Sequence, residues 1–198
     1  MKKIEKLVAM VTVIMITILS TSCSTNSSSP APACDASSTN FQTIFGAGGN
    51  VSYDFDVHSY TFKVATNKTI CKIGYQSTAY NTSIPYTIKI LQGTTVIYSQ
   101  PHLFSSTAIS YITPPSTINL TAGVDYTIER IQTNNSPTSF ENLGRIKVVA
   151  FPLSSGDLTI TGSKFYFDPT YVNPLSGFPN GTSTAIDVSL PYIDIVFQ

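Results

Sequence analysis

HSYTFKVATNKTICKIGY, residues 58–75, sets the pattern for the chain. Tyr60, Phe62 and Val64 alternate with Thr61 and Lys63, and Cys71, Ile73 and Tyr75 alternate around Lys72. A period of two puts successive side chains on opposite faces of a strand, whereas a helix repeats every 3.6 residues. Thr66-Asn67-Lys68, between the two runs, is a turn signal.

The same period recurs along the chain. Tyr86, Ile88 and Ile90 alternate with Thr87 and Lys89; Val124, Tyr126 and Ile128 with Asp125, Thr127 and Glu129; Ile146 and Val148 with Arg145 and Lys147. Phe165 and Phe167 flank Tyr166, and Ile193, Ile195 and Phe197 continue the pattern around Asp194. Further strands are predicted at Val51–Val57, Thr95–Ser99, Ala108–Ile112 and Leu158–Thr161. Turn signals separate them, among them Gln92-Gly93-Thr94, Thr113-Pro114-Pro115 and Thr121-Ala122-Gly123. Many short strands at this spacing predict an all-β chain folded as an antiparallel, jelly-roll-like β-sandwich.

The N-terminus has a different grammar. Lys2, Lys3, Glu5 and Lys6 precede a run of thirteen mainly apolar residues, Leu7–Leu19, followed by Ser20-Thr21-Ser22-Cys23. A membrane-crossing helix needs about 20 apolar residues. This shorter run matches the core of an export signal, predicted over residues 1–22. Ser22 and Cys23 resemble the end of the lipobox family of signals, in which a small residue precedes the cysteine that receives the lipid. That resemblance implies lipidation at Cys23, with ordinary signal cleavage near Cys23 as the alternative. It also implies a lipid-anchored protein of the bacterial cell envelope, and Ser24 in place of aspartate resembles an outer-membrane address. Residues 23–40, rich in Ser, Thr, Asn and Pro, read as a lipidated tether, and 41–198 as the sandwich domain.

There are three cysteines in the sequence. If Cys23 carries lipid, Cys34 and Cys71 remain as an even pair in an oxidising compartment, and a disulfide between them is the natural reading. Two free buried thiols are the alternative.

Removing Lys2, Lys3, Lys6 and Glu5 from eleven basic and eleven acidic side chains leaves eight and ten, a net charge of −2. A weakly acidic chain lacks the cationic surface that a phosphate backbone requires, so nucleic acid is not an expected partner. Eleven tyrosines and eleven phenylalanines, with no tryptophan, supply the aromatic content.

Two segments carry a further resemblance. Ile118-Asn119-Leu120-Thr121-Ala122-Gly123-Val124-Asp125-Tyr126-Thr127-Ile128 is similar to the L-T-A-G-x-x-Y-x-V segment of many secreted bacterial β-sandwiches. Gly123 there permits a tight turn, and the Tyr126 hydroxyl can bond nearby backbone as in a tyrosine corner. Gly177-Phe178-Pro179 followed by Pro191-Tyr192-Ile193-Asp194-Ile195-Val196-Phe197 resembles the ending G-F-P … Y-W-V-D-V-V-F. That ending belongs to a bacterial extracellular domain of unknown function, often appended to carbohydrate-active or immunoglobulin-repeat proteins. The resemblance implies a jelly-roll-like sandwich and carries over no catalytic residue. Ile193 stands where that family has tryptophan.

Candidate chemistry is sparse. His58 and His102 are the two histidines, too few for a zinc cluster of His and Cys. No Gly-x-Ser-x-Gly elbow or phosphate-binding glycine loop occurs. Asp54, Asp56 and His58 share one strand parity. They read either as a hard-cation site for structural calcium, as half of an acid–base pair, or as a solvated polar face. Asp187 and Asp194 have the same standing, and Asp194 is expected to face water or bond backbone at a strand end. Tyr166, Tyr171, Phe178 and Tyr192 gather around the Pro/Gly/Asn-rich segment 168–184, where they suit a sugar ring or a peptide; loop and core anchoring is the alternative. No cofactor and no enzymatic activity are expected. Two functions compete: a non-catalytic module binding glycan or peptide, and a structural or assembly subunit meeting envelope proteins through an edge strand or loop.

Overall fold

The two runs within residues 58–75 form strands of different sheets. In a computed structural model, which describes residue 34 and residues 50–52, 57–77, 83, 85–132, 144–166, 184–187 and 189–198, β2 (Val57–Val64) and β3 (Lys68–Tyr75) lie in separate layers. The turn between them crosses from one layer to the other. It is pinned by Asp157, whose backbone oxygen accepts the Ala65 N–H at 2.8 Å and whose carboxylate takes the Thr66 hydroxyl and the Lys68 ammonium. These two donors hold Asp157 below the usual carboxylate range.

The larger sheet has the order β10 (Leu153–Ser155), β11 (Leu158–Tyr166), β2, β8 (Tyr126–Gln132), β4 (Tyr86–Gln92), β5 (Thr95–His102), with β12 (Thr184–Ile186) also on β11. A four-stranded sheet places β14 (Asp194–Phe197) and β6 (Ser110–Ile112) either side of β3, with β7 (Ile118–Leu120) further along β3. The remaining sheet is β1 (Asn50–Ser52), β9 (Gly144–Lys147), β13 (Leu190–Pro191). Among the described residues every pairing is antiparallel, no sheet closes into a barrel, and the structure is all-β.

The core is shared between layers. Tyr60, Phe62 and Val64 of β2, Ile88 and Ile90 of β4, and Ile128 of β8 pack in one cluster with Ile70, Ile73 and Tyr75 of β3, Leu190, Ile193 and Ile195. This is the antiparallel sandwich that the alternation predicts. Tyr126 is buried, and its hydroxyl accepts the Thr121 N–H at 2.8 Å, a bond of tyrosine-corner type. Gly123 has φ of +75°, which only glycine adopts without strain.

Several elements differ from the sequence expectation. Leu158–Thr161 and the aromatic run from Phe165 are one strand, β11, kinked where Thr161 is left unpaired between Ile160 and Gly162. The kink is held by Asp187, whose Oδ1 accepts the Ser163 N–H at 2.8 Å. A Cβ at Gly162 would lie 2.7 Å from that same oxygen. Cys71 is similarly left unpaired where β3 meets β14, so Ile70 and Ile73 take the inward places and Cys71 sits partly exposed. That bulge frees its side chain for Cys34, and the two form a disulfide with Cα atoms 5.9 Å apart. β9 ends at Lys147, so the alternation stops before Val148, which is 71% exposed. Asp194 neither faces water nor simply ends a strand: it is buried, and the Tyr111 hydroxyl donates to its Oδ2 at 2.7 Å.

Ala33–Gln198 clusters as one compact unit, so the cross-link at Cys34 belongs with the strands. The predicted signal over 1–22, the lipid-accepting Cys23 and the remaining tether residues lie outside the described residues.

Candidate functional site

At one end of the larger sheet β2 begins, β8 ends, β4 begins and β11 ends. On the inner face of this rim, His58 lies opposite Arg130 across β2 and β8, and opposite Phe165 across β2 and β11. Arg130 is fully buried, with its guanidinium carbon 5.1 Å from the Tyr86 ring centre and 5.6 Å from that of Tyr75. Tyr75 and Tyr86 meet edge to face at 5.3 Å, bridging the two layers. A desolvated cation over an aromatic face gains about 2 kcal/mol. The two rings therefore offset part of what it costs to bury a guanidinium.

His58 is buried with its ring 4.7 Å from Phe165. Burial, reinforced by the charge of Arg130, lowers its pKa well below the ordinary imidazole value, so it is neutral at pH 7. Neither ring nitrogen has a hydrogen-bond partner among the described residues. Of the expected Asp54–Asp56–His58 face, His58 thus points into the core rather than into solvent, while Asp54 and Asp56 lie outside the described residues. No group of three or more His, Cys, Asp or Glu converges among the described residues.

On the outer face, the Tyr166 hydroxyl donates to Glu129 Oε1 at 2.8 Å. Glu129 Oε2 lies 2.9 Å from Lys89 Nζ, its direct cross-strand partner on β4. The Lys164 ammonium stands 4.7 Å from the Tyr166 ring centre. Tyr166 is thus half-buried at the rim with its hydroxyl engaged and its ring faced by a cation. Tyr192 is elsewhere: it is buried in the central hydrophobic cluster, where its ring serves packing. Tyr171 and Phe178 lie outside the described residues.

Arg130, Glu129 and Lys89 were not among the sequence candidates. Parity carried the signal for the first: Tyr126, Ile128, Arg130 and Gln132 share one face, and the first two are core residues. An arginine on an inward parity needs rings or anions around it, which marks a special position.

Fold and rim together define an antiparallel β-sandwich with a polar–aromatic end, in which buried and half-exposed tyrosines are interleaved with charges of both signs. No protein-family model matches the chain, and neither does any curated protein.

Proposed function

We propose that the chain is a lipid-anchored bacterial envelope protein, held at the outer membrane through Cys23, whose sandwich binds a glycan or peptide and performs no catalysis. The anchoring reading is supported by the basic start, the short apolar run and the Ser22-Cys23 pair. The binding reading is carried by one observation: Tyr166, Lys164, Glu129 and Lys89 converge on the outer face of the rim, directly behind Arg130 and His58. A partly exposed tyrosine fixed by neighbouring charges offers a rigid apolar face with polar groups around it, which suits a sugar ring or an extended peptide.

The test uses the full processed chain, isolated from membranes in mild detergent and applied to glycan and peptide arrays. The expected result is binding of a defined ligand, weakened about tenfold or more by Tyr166→Ala, equivalent to roughly 1.4 kcal/mol. Absence of any binding by a folded chain overturns the binding reading. Retention of Cys23→Ser in the membrane fraction overturns the anchoring reading. The second reading, an assembly subunit, is favoured by the outer edge of β5, which pairs with no strand among the described residues.

A further inference from the structure

Residues 90–124 contain no Asp, Glu, Lys or Arg, a run of thirty-five residues. The topology gathers this run on one flank. Among the described residues, β5 ends the larger sheet and pairs only with β4, while β6 and β7 pair only with β3. The crossing between β5 and β6 is stitched to the end of β3, with the Ser77 N–H bonded to Ser105 O and the Gln76 amide to Ser106 O, both at 2.8 Å. His102, the flank's imidazole, shares a 2.6 Å hydrogen bond with the Tyr98 hydroxyl, and partial burial lowers its pKa, which favours the neutral ring.

Five large hydrophobic side chains are exposed among the described residues, and three of them, Val96 (50%), Ile97 (37%) and Leu103 (54%), lie on this flank. No strand among the described residues pairs with the outer edge of β5, where Thr95, Val96, Ile97, Ser99 and Gln100 are exposed. Pro101 has no N–H, so the Thr87–Pro101 pair is a non-hydrogen-bonded one. By alternation so is Lys89–Ser99, and the Ser99 N–H and C=O point away from β4. Monomeric proteins usually blunt such an edge with lysine or inward-pointing charge. β5 carries neither; a bulge at Ile97 interrupts the strand near the hairpin, and Pro101 shields its C-terminal end, so the open stretch centres on Ser99.

We propose that two copies of this chain associate through this flank, β5 against β5, antiparallel about a two-fold axis. An edge strand in antiparallel pairing is self-complementary, as a two-fold interface requires. An edge strand without charge, whose nearest cation Lys89 opposite Ser99 is already paired with Glu129, offers nothing to select a charged partner and is matched by its own copy, and interface centres are depleted in charge. The pairing centres on Ser99, C-terminal to the Ile97 bulge, and joins the two larger sheets into one. It is independent of ligand binding at the rim.

The test places a photo-crosslinking benzoylphenylalanine at Ser99 of the full chain in cells. The expected product has twice the mass of the chain, and the same residue at Ser154, on the opposite edge strand β10, yields none. Ile97→Lys sets a charge on the edge without touching the core and is expected to lower the dimer product at least tenfold, with the thermal transition retained. An adduct from Ser99 with a different protein, an adduct with lipid alone, no adduct, or a dimer insensitive to Ile97→Lys each overturns the proposal.

Discussion

His58 is a basic side chain held without charge in the core, packed on Phe165 and facing Arg130. Its folded pKa lies well below the unfolded value of about 6.5. Below that value the unfolded chain binds a proton that the folded chain refuses, so stability is fully present above about pH 6.5 and falls as the pH drops. The slope contributed by one proton is at most about 1.4 kcal/mol per pH unit. Replacing the ring by an apolar group, His58→Leu, is expected to flatten the loss between pH 6.5 and 5 relative to the native chain. Urea titrations of both chains across that range check it, and equal pH slopes for the two chains defeat the assignment. His58 was legible as a strand residue, but its inward orientation was not: the parity it shares with Asp54 and Asp56 suggested a wet face, whereas its parity with Tyr60 and Phe62 proved decisive.

Strand β3 shows how an element is bent to several uses. Ile73 and Tyr75 follow the predicted alternation into the core, the bulge at Cys71 turns one side chain outward, and Gly74 makes room for a ring. A Cβ at Gly74 would stand 2.5 Å from the Tyr111 ring, which faces it across the β3–β6 pair. That ring cannot withdraw freely, because its hydroxyl is bonded to the buried Asp194 at 2.7 Å. Gly74→Ala is therefore expected to cost about 1–3 kcal/mol, the usual range for overpacking. In a Tyr111→Leu background the same change is expected to cost clearly less, since the colliding ring is gone. Equal costs in both backgrounds, measured by chemical denaturation, contradict the contact. Alternation alone could not locate this glycine's role, because the neighbour it accommodates comes from another strand.

For the whole molecule, the Cys34–Cys71 bond closes a span of 37 residues between the N-terminal approach and the second layer. Chain-entropy arguments assign a loop of that size about 4 kcal/mol, an upper figure. Adding reductant is expected to lower the stability of the intact chain by up to that amount, and a Cys34→Ser, Cys71→Ser double variant is expected to match the reduced protein. A thermal melt unaffected by reductant, together with two titratable thiols before reduction, would falsify the cross-link. The pairing was readable from cysteine arithmetic, but the bulge that presents Cys71 to Cys34 was not.

What the sequence determined by itself is what short-range periodicity encodes. Alternation of period two, turn residues at each break and the Gly123–Tyr126 corner are local properties, and they sufficed for an all-β antiparallel sandwich. Tertiary structure alone decided which strands share a sheet, so that residues 58–75 separate into two layers rather than forming one hairpin. It alone brought Arg130 beneath Tyr75 and Tyr86, and Glu129 between Tyr166 and Lys89. It also gathered the uncharged run 90–124 onto one flank. The physical reason is common to all three. A strand's side-chain pattern reports which face is buried, but its backbone groups pair equally well with any strand, so partners are selected only when the whole core packs.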